Sequence, residues 1–305
     1  MLNRRDLTLG ATAMALAACV DGVSPEPAAP ATELTRLEAA LAELEAQAGG
    51  RLGAFVLDTG NGQSFGWRQS ERFGMCSTFK LSLAAFLLRE SDAGHIDLNE
   101  VIPYTEADLM FVSPVTKENV ARGGMTIVAL AEATQITSDN AAANLLLKRI
   151  GGPEKITAFW RELGDVDSRL DRYEPELNLV PPGEQRDTIT PAGIARSVAA
   201  FVVGDALKAE SRALLRKWMA DTKTGLRRIR AALPPGWEAG DKTGTGNFRG
   251  QGNKYNDLAV LYPPANRAPL VVIACYEARE YFDGMKLEDE TVLRRVGELA
   301  VQWVS

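Results

Sequence analysis

Ser77-Thr78-Phe79-Lys80 begins an apolar run that is predicted to form a helix over residues 78–89. Positions i and i+3 of a helix share a face, so the ammonium of Lys80 can approach the hydroxyl of Ser77. A serine hydroxyl is a poor nucleophile until a neighbour takes its proton, and a helix N-terminus favours the negative charge that then develops. Taken alone, the pattern is better explained by a helix cap followed by a solvated lysine.

The composition limits the other chemistries open to this chain. Its 305 residues allow one large core or two lobes, and 46% hydrophobic with 24% charged residues is ordinary for a globular protein. The single histidine, His95, argues against a serine–histidine dyad and against histidine-bound zinc, so no cofactor and no metal is expected. The net charge of −6, with only a short basic cluster at 227–230, argues against a nucleic-acid partner.

Residues 1–18 are predicted to be an export signal, because Arg4-Arg5 precedes an apolar run too short to cross a bilayer. The adjacent arginines partly match a twin-arginine signal, and both export routes stay open. Leu16-Ala17-Ala18-Cys19 resembles a bacterial lipoprotein cleavage site, and lipidation of Cys19 is favoured over ordinary cleavage nearby. Residues 19–32 are rich in Pro and Ala, as in a flexible tether. The protein is therefore expected to be periplasmic, with or without a lipid anchor.

Periodicity predicts strands near both ends of the sequence and helices between them. Short turns between sequential strands favour an antiparallel sheet. The predicted strands are 52–58, 63–68, 237–242, 256–262 and 270–276. The predicted helices are 33–48, 78–89, 126–134, 140–150, 153–163, 191–202, 209–220 and 289–304.

These elements predict an α/β (α+β) fold for a domain at 33–305. Its five-stranded antiparallel sheet is flanked by helices from both termini and belongs to a lobe of about 33–70 and 221–305. An all-helical lobe, about 71–220, is inserted into it. A cleft between two lobes is a common place for a site.

Two further motifs add polar groups. Ser138-Asp139-Asn140 opens a predicted helix; it suits helix capping, and equally a hydroxyl that relays a proton beside an amide that contacts a substrate. Lys242-Thr243-Gly244-Thr245-Gly246 ends a predicted strand, where glycines let a ligand lie against the backbone and the lysine can bind a carboxylate. Alone, this second motif fits a turn with a surface lysine.

The order and spacing of the three motifs match those of penicillin-interacting serine enzymes. The chain resembles a class A β-lactamase over about 34–304, nearest to the broad-spectrum and carbapenem-hydrolysing branch. A long aperiodic stretch, residues 164–190, contains Arg172-Tyr173-Glu174-Pro175-Glu176-Leu177-Asn178 and resembles the Ω-loop of that family. In that loop Arg172 and Asp187 would form a bracing ion pair.

The resemblance implies hydrolysis of the β-lactam amide bond and antibiotic resistance. Ser77 would attack the carbonyl, with Lys80 or Glu174 as the base, and Ser138 would protonate the leaving nitrogen. Glu174 and Asn178 would then bind the water that hydrolyses the acyl-enzyme, and the N–H groups of Ser77 and Thr245 would form the oxyanion hole. The resemblance assigns substrate contacts to Asn140, Asn178, Arg228, Lys242, Thr243, Gly244 and Thr245.

Some positions depart from the family. Val112, preceded by Phe111, replaces the aromatic residue common at the substrate gate, and Gly246 replaces the cysteine that some carbapenemases pair with a residue at the position of Cys76. Cys76 and Cys275 could pair in an oxidising compartment, but buried free thiols are favoured, because Cys275 lies in a buried-strand pattern and Cys76 directly precedes Ser77. Penicillins and cephalosporins are the expected substrates of a monomeric enzyme, and carbapenems stay open.

Two alternative functions also stay open. One is a penicillin-binding DD-peptidase, whose family lacks the loop glutamate. The other is a β-lactam receptor that signals by acylation without turnover, which would need a transmembrane relay.

Overall fold

In a computed structural model, residues 32–305 are described, and Thr32–Ser305 form one compact unit. The predicted export signal, Cys19 and nearly all of the tether lie outside the described residues. Within residues 32–305, no helix is long and apolar enough to cross a membrane. The division into two lobes stays a prediction.

The described residues form nine α-helices and nine strands. The helices are α1 (Glu33–Ala48), α2 (Phe79–Asp92), α3 (Pro114–Asn119), α4 (Ile127–Ile136), α5 (Asn140–Ile150), α6 (Glu154–Glu162), α7 (Pro191–Val202), α8 (Ala209–Asp221) and α9 (Leu287–Val304). The strands are β1 (Arg51–Asp58), β2 (Ser64–Trp67), β3 (Phe73–Gly74), β4 (Val101–Pro103), β5 (Gly124–Thr126), β6 (Thr188–Ile189), β7 (Glu238–Gly246), β8 (Lys254–Tyr262) and β9 (Leu270–Glu277).

The main sheet has five antiparallel strands in the order β2-β1-β9-β8-β7. Strands from the two ends of the sequence meet where β1 pairs with β9, with Val56 opposite Val272. The predicted fold class is thereby confirmed. Two short pairs, β3 with β6 and β4 with β5, were not predicted, because two or three residues cannot show an alternating pattern.

Alternate residues of the sheet enter two different hydrophobic clusters, as the pleat requires. Leu258 and Val260 of β8 pack with the central helices, whereas Ala259 and Leu261 pack with α1 and α9. Burying each large apolar side chain stabilises the fold by about 1.5–3 kcal/mol. The sheet is thus covered on both faces, and its β7 edge lies beside the helical residues 76–78.

Helix α2 lies in the interior, and apolar residues cover most of its circumference. The expected helix over 78–89 is corrected at its start: a 3-10 turn, Cys76–Thr78, contains Ser77, and α2 begins at Phe79. Lys80 is fully buried, so the solvated-lysine alternative is wrong.

Strand β7 is longer than predicted. It continues to Gly246, which pairs with Lys254 of β8, so Lys242 to Gly246 lie inside the strand and not at a turn after it. Gly244 makes this close approach possible, because a Cβ there would lie 2.6 Å from the carbonyl oxygen of Met75. The strand edge is thereby placed directly beside the turn that contains Ser77.

Candidate active site

Three reactive groups meet at Ser77. The ammonium Nζ of Lys80 lies 2.9 Å from Ser77 Oγ and 3.0 Å from Glu174 Oε1. Ser77 Oγ also lies 3.1 Å from Glu174 Oε1. The side chains of Lys80 and Glu174 are fully buried. The Ser77 hydroxyl therefore contacts two groups, Lys80 and Glu174, that can accept its proton.

Burial lowers the pKa of Lys80 below that of an ordinary lysine, while the charge of Glu174 and its hydrogen bond oppose this shift. Lys80 also donates to the carbonyl of Ser138, at 2.9 Å, and to Asn140 Oδ1, at 2.5 Å. Its ammonium is thus fixed in position by three elements of the fold.

The second motif contributes both to capping and to the site. Asp139 is the N-cap of α5 and accepts from Ala142 N–H, as the capping interpretation predicts. Ser138, with a φ of 62°, places its Oγ 3.1 Å from Lys242 Nζ and 3.4 Å from Lys80 Nζ. A left-handed non-glycine residue is costly and is common at functional sites. Ser138 thus lies between the two lysines of the site.

On β7, Lys242 is fully buried and its ammonium donates to Ser138 and to the Thr243 carbonyl. Burial, followed by repulsion from Lys80, lowers the pKa of Lys242 well below its ordinary value. A bound carboxylate would oppose this shift and favour the charged ammonium, which suits an anion-binding lysine.

Arg228 contacts the pocket mainly through another residue. Its guanidinium is almost fully buried and donates to Thr245 Oγ1 at 2.7 Å. It also donates to the carbonyl oxygens of Gly244 and Asn256 and pairs with Glu290 Oε1 at 3.3 Å. Arg228 therefore orients Thr245, and its direct contact with a substrate stays a prediction.

The Ω-loop is fixed at both sides of Glu174. Arg172 and Asp187 form the bracing ion pair that the resemblance implied, with Nε and Oδ2 2.5 Å apart. Asn178 Nδ2 donates to Glu174 Oε2 at 2.6 Å. Asn144, which was not predicted as a site residue, accepts from the N–H and donates to the carbonyl of Glu174. Its position one helical turn after Asn140 was the available signal.

These groups surround a cavity of about 640 Å³. Val112 lines it, whereas Phe111 is fully exposed. The sequence-predicted residues among its lining are Ser77, Ser138, Asn140, Glu174, Asn178, Arg228, Thr243 and Thr245. Lys80 and Lys242 contact two of these residues from the protein interior: Lys80 donates to Ser77, and Lys242 donates to Ser138.

Comparison with known proteins supports the same assignment. Residues 36–304 match the family model of the "Beta-lactamase enzyme family". The chain is 44% identical to beta-lactamase AST-1 of Nocardia asteroides, over 88% of this chain and 86% of that enzyme. It is 43% identical to the imipenem-hydrolyzing beta-lactamase of Enterobacter cloacae, over 75% of this chain and 77% of that one.

A solved ancestral class A beta-lactamase superposes with a TM-score of 0.82 and 47% identity, covering 88% of this chain and 99% of the other. The chain belongs to the class A β-lactamases. It is a β-lactam-hydrolysing enzyme of antibiotic resistance. The family assignment favours neither the DD-peptidase nor the receptor alternative.

The thiols and the histidine of this β-lactamase lie outside its chemistry. Cys76 and Cys275 are buried and free, as predicted. Burial raises the pKa of Cys76 to about 12, which keeps its thiol protonated and unreactive. His95 is exposed and contacts Glu90, as expected of a structural histidine.

Two buried carboxyl groups lie behind Lys242 of this β-lactamase. Asp241 accepts from Arg230 and Asp257 accepts from the Ile229 N–H, and each has a second oxygen without a hydrogen-bond partner among the described residues. Burial raises the pKa of Asp241 to about 6. Burial and the neighbouring Asp241 raise the pKa of Asp257 well above its ordinary value.

We expect Asp257→Asn to raise the stability of the β-lactamase at pH 8 by about 1–3 kcal/mol. The pKa of both carboxyls is higher in the folded state, so their contribution to folding stability is fully present below pH ~4. This contribution is lost as the pH rises through about 6 and higher. The amide imitates the protonated form at every pH. Urea unfolding at pH 5 and pH 8 measures the difference.

The control is Asp205→Asn, which removes a carboxylate from an exposed position. It should leave the pH dependence of unfolding unchanged. An identical pH slope in Asp257→Asn and in the unsubstituted enzyme would contradict a proton retained by this pair.

Proposed function

We propose that the enzyme hydrolyses β-lactams through an acyl-enzyme on Ser77. Lys80 or Glu174 takes the Ser77 proton as Oγ bonds to the lactam carbonyl carbon. Ser138 gives its proton to the leaving nitrogen as the C–N bond breaks, and Lys80 passes the proton from Ser77 on to Ser138. Glu174 then deprotonates a water that attacks the ester carbon, and the ester C–O bond breaks as that proton returns to Ser77. The observation that carries the proposal is the mutual contact, within 3.1 Å, of Ser77 Oγ, Lys80 Nζ and Glu174 Oε1. One chain supplies every group, which supports a monomeric enzyme.

Either Lys80 or Glu174 can act as the acylation base. Burial lowers the pKa of Lys80, so its neutral amine forms more readily than that of an exposed lysine. Glu174 Oε1 lies within hydrogen-bond distance of the same hydroxyl. Deacylation depends on Glu174 alone, with Asn178 orienting its carboxylate.

The substrate carboxylate would bind at the end of β7. Lys242 supplies charge there, and the hydroxyls of Thr243 and Thr245 supply hydrogen bonds. Arg228 donates a hydrogen bond that orients the Thr245 hydroxyl, and its guanidinium adds positive charge beside that hydroxyl. Asn140 would contact the substrate amide, and Gly244 lets the ligand approach the strand backbone.

This arrangement supports a broad substrate range that reaches cephalosporins and carbapenems. A relative that is 43% identical hydrolyses imipenem. Purified protein should be assayed with one penicillin, one cephalosporin, one oxyimino compound and one carbapenem. We expect turnover of all four, and Arg228→Met should raise KM about tenfold while changing kcat less, because it weakens carboxylate binding. Hydrolysis of the penicillin alone would refute the broad range.

We also propose that the protein is exported to the periplasm and anchored by lipid at Cys19. Lipidation would supply membrane affinity, and no helix within residues 32–305 is long and apolar enough to do so by spanning a membrane. Cys19→Ser should move the enzyme from the membrane fraction to the soluble periplasmic fraction. The control is Cys76→Ser, whose thiol is buried in the fold and should not affect fractionation. Unchanged fractionation of Cys19→Ser would remove the anchor.

A further inference from the structure

A second cavity, of about 980 Å³, is larger than the one around Ser77 and shares no lining residue with it. Residues 180–185 of the Ω-loop form one wall. The remaining walls come from the beginning of β1, the strand β3, the end of β9 and the turn at 250–252. Nothing in the catalytic mechanism uses this space.

Lys254 lines the cavity, and neighbouring groups compensate little of the charge of this buried lysine. The residue is only 4% exposed, and its ammonium donates to Gln251 Oε1 at 2.6 Å. No carboxylate of the described residues lies within ion-pair distance of it. An ammonium has three N–H donors, and a buried charge is costly without a partner of opposite sign. Lys254 therefore has donor capacity left for an anion in the cavity.

The position of Lys254 is fixed by packing. A Cβ added at Gly74 would lie 3.1 Å from both Cδ and Cε of Lys254, so the absent side chain at residue 74 makes room for the lysine stem. The Lys254 backbone pairs with Gly246 and Glu277 in the sheet. A charge on such a rigid support is well suited to bind a ligand, because little freedom is lost on binding.

The charges around the cavity favour an anion although the whole chain carries −6. Its carboxylates are already engaged: Glu71 and Glu277 pair with Arg51, and Glu184 pairs with Arg186. Two cations of the lining, Lys254 and Arg279, have no ion pair among the described residues. The charged residues that line the cavity are Arg51, Glu71, Arg72, Glu184, Lys254, Glu277 and Arg279.

We propose that this cavity binds a small organic anion that carries more than one carboxylate or phosphate group. Lys254 is its principal contact and Arg279 is a second contact at the exposed rim. The volume is far larger than a single inorganic ion needs, and the two free cations favour a ligand with separated negative groups.

The test uses the purified enzyme titrated with citrate and with inorganic phosphate at constant ionic strength, followed by isothermal calorimetry. We expect citrate to bind at least about tenfold more tightly than phosphate, and Lys254→Met to weaken citrate binding at least about tenfold. Methionine keeps the apolar stem and removes the charge. The matched control is Lys155→Met, which removes a charge from the exposed face of α6 and should leave the affinity unchanged.

Citrate could also occupy the carboxylate-binding end of β7, and kinetics separate the two places. Citrate at β7 inhibits penicillin hydrolysis competitively, and to the same degree with or without the Lys254 substitution. Calorimetric binding that is absent, that is unchanged in Lys254→Met, or that is equal for phosphate and citrate overturns the proposal. If Lys254→Met fails to fold, Arg279→Gln decides: we expect about threefold weaker citrate binding, and an unchanged affinity overturns the proposal.

Discussion

Replacement of Ser77 by alanine is expected to abolish acylation and to lower kcat by about a million-fold, as removal of a serine nucleophile does in other hydrolases. The Ser77 hydroxyl contacts both Lys80 and Glu174, and no other serine within residues 32–305 has that environment. Mass spectrometry of the intact variant mixed with benzylpenicillin should show only unmodified protein. The penicillin should still bind, because the groups on β7 are unchanged.

The Ser77→Ala enzyme should fold, because the Lys80–Glu174 ion pair at 3.0 Å does not need the hydroxyl. Ser70→Ala, a change at an exposed serine shortly before the nucleophile, is the control and should react at the normal rate. A covalent adduct on any other residue of Ser77→Ala, located by peptide mapping, would contradict the assignment of the nucleophile.

Helices with local end signals were predictable to the residue. The predicted boundaries of α5 and α7 agree with the structure. Asp139 caps α5 and Gly151 ends it in the left-handed conformation, while Thr190 caps α7 with Pro191 in its first turn. Each signal acts within a few residues, so the sequence alone contains it.

Boundaries that depend on distant partners were not predictable. The last residues of β7 are glycines and threonines, which resemble a turn, and they are extended because β8 pairs with them and the Ser77 turn packs against them. The first two residues of β8, Lys254 and Tyr255, were missed for the same reason, because the predicted strand began at Asn256. Asn256 is buried because it donates to the carbonyls of Gly74 and Met75.

The same distinction applies to the active site. Ser77, Lys80, Ser138 and Lys242 could be named because each belongs to a short motif. Residues that act on the main chain or on another side chain from a distant element were missed. Asn144 holds the backbone of Glu174, and Glu290 neutralises the buried Arg228. The position of Asn144 one helical turn after Asn140 was its one local signal, and nothing local to Glu290 distinguishes it from a surface acid.

Replacement of Glu174 by alanine should separate the two halves of the reaction. We expect acylation of Ser77 by benzylpenicillin to continue, because Lys80 remains 2.9 Å from the hydroxyl. Deacylation should slow by about 10²–10⁴-fold, since the general base for water is removed. Intact-mass spectra recorded over time should show an acyl-enzyme that accumulates and persists, whereas the unsubstituted enzyme returns quickly to its free mass.

Glu176→Ala is the matched control, because it removes an exposed carboxylate from the same loop, and it should turn over at the normal rate. A Glu174→Ala variant that stays unmodified would mean that Glu174 is also the indispensable base for acylation. An adduct that clears at the normal rate would remove Glu174 from deacylation altogether. The expected trapped acyl-enzyme is the behaviour of a penicillin-binding peptidase, so the difference between hydrolysis and covalent trapping would depend on one carboxylate, 3.1 Å from the Ser77 hydroxyl.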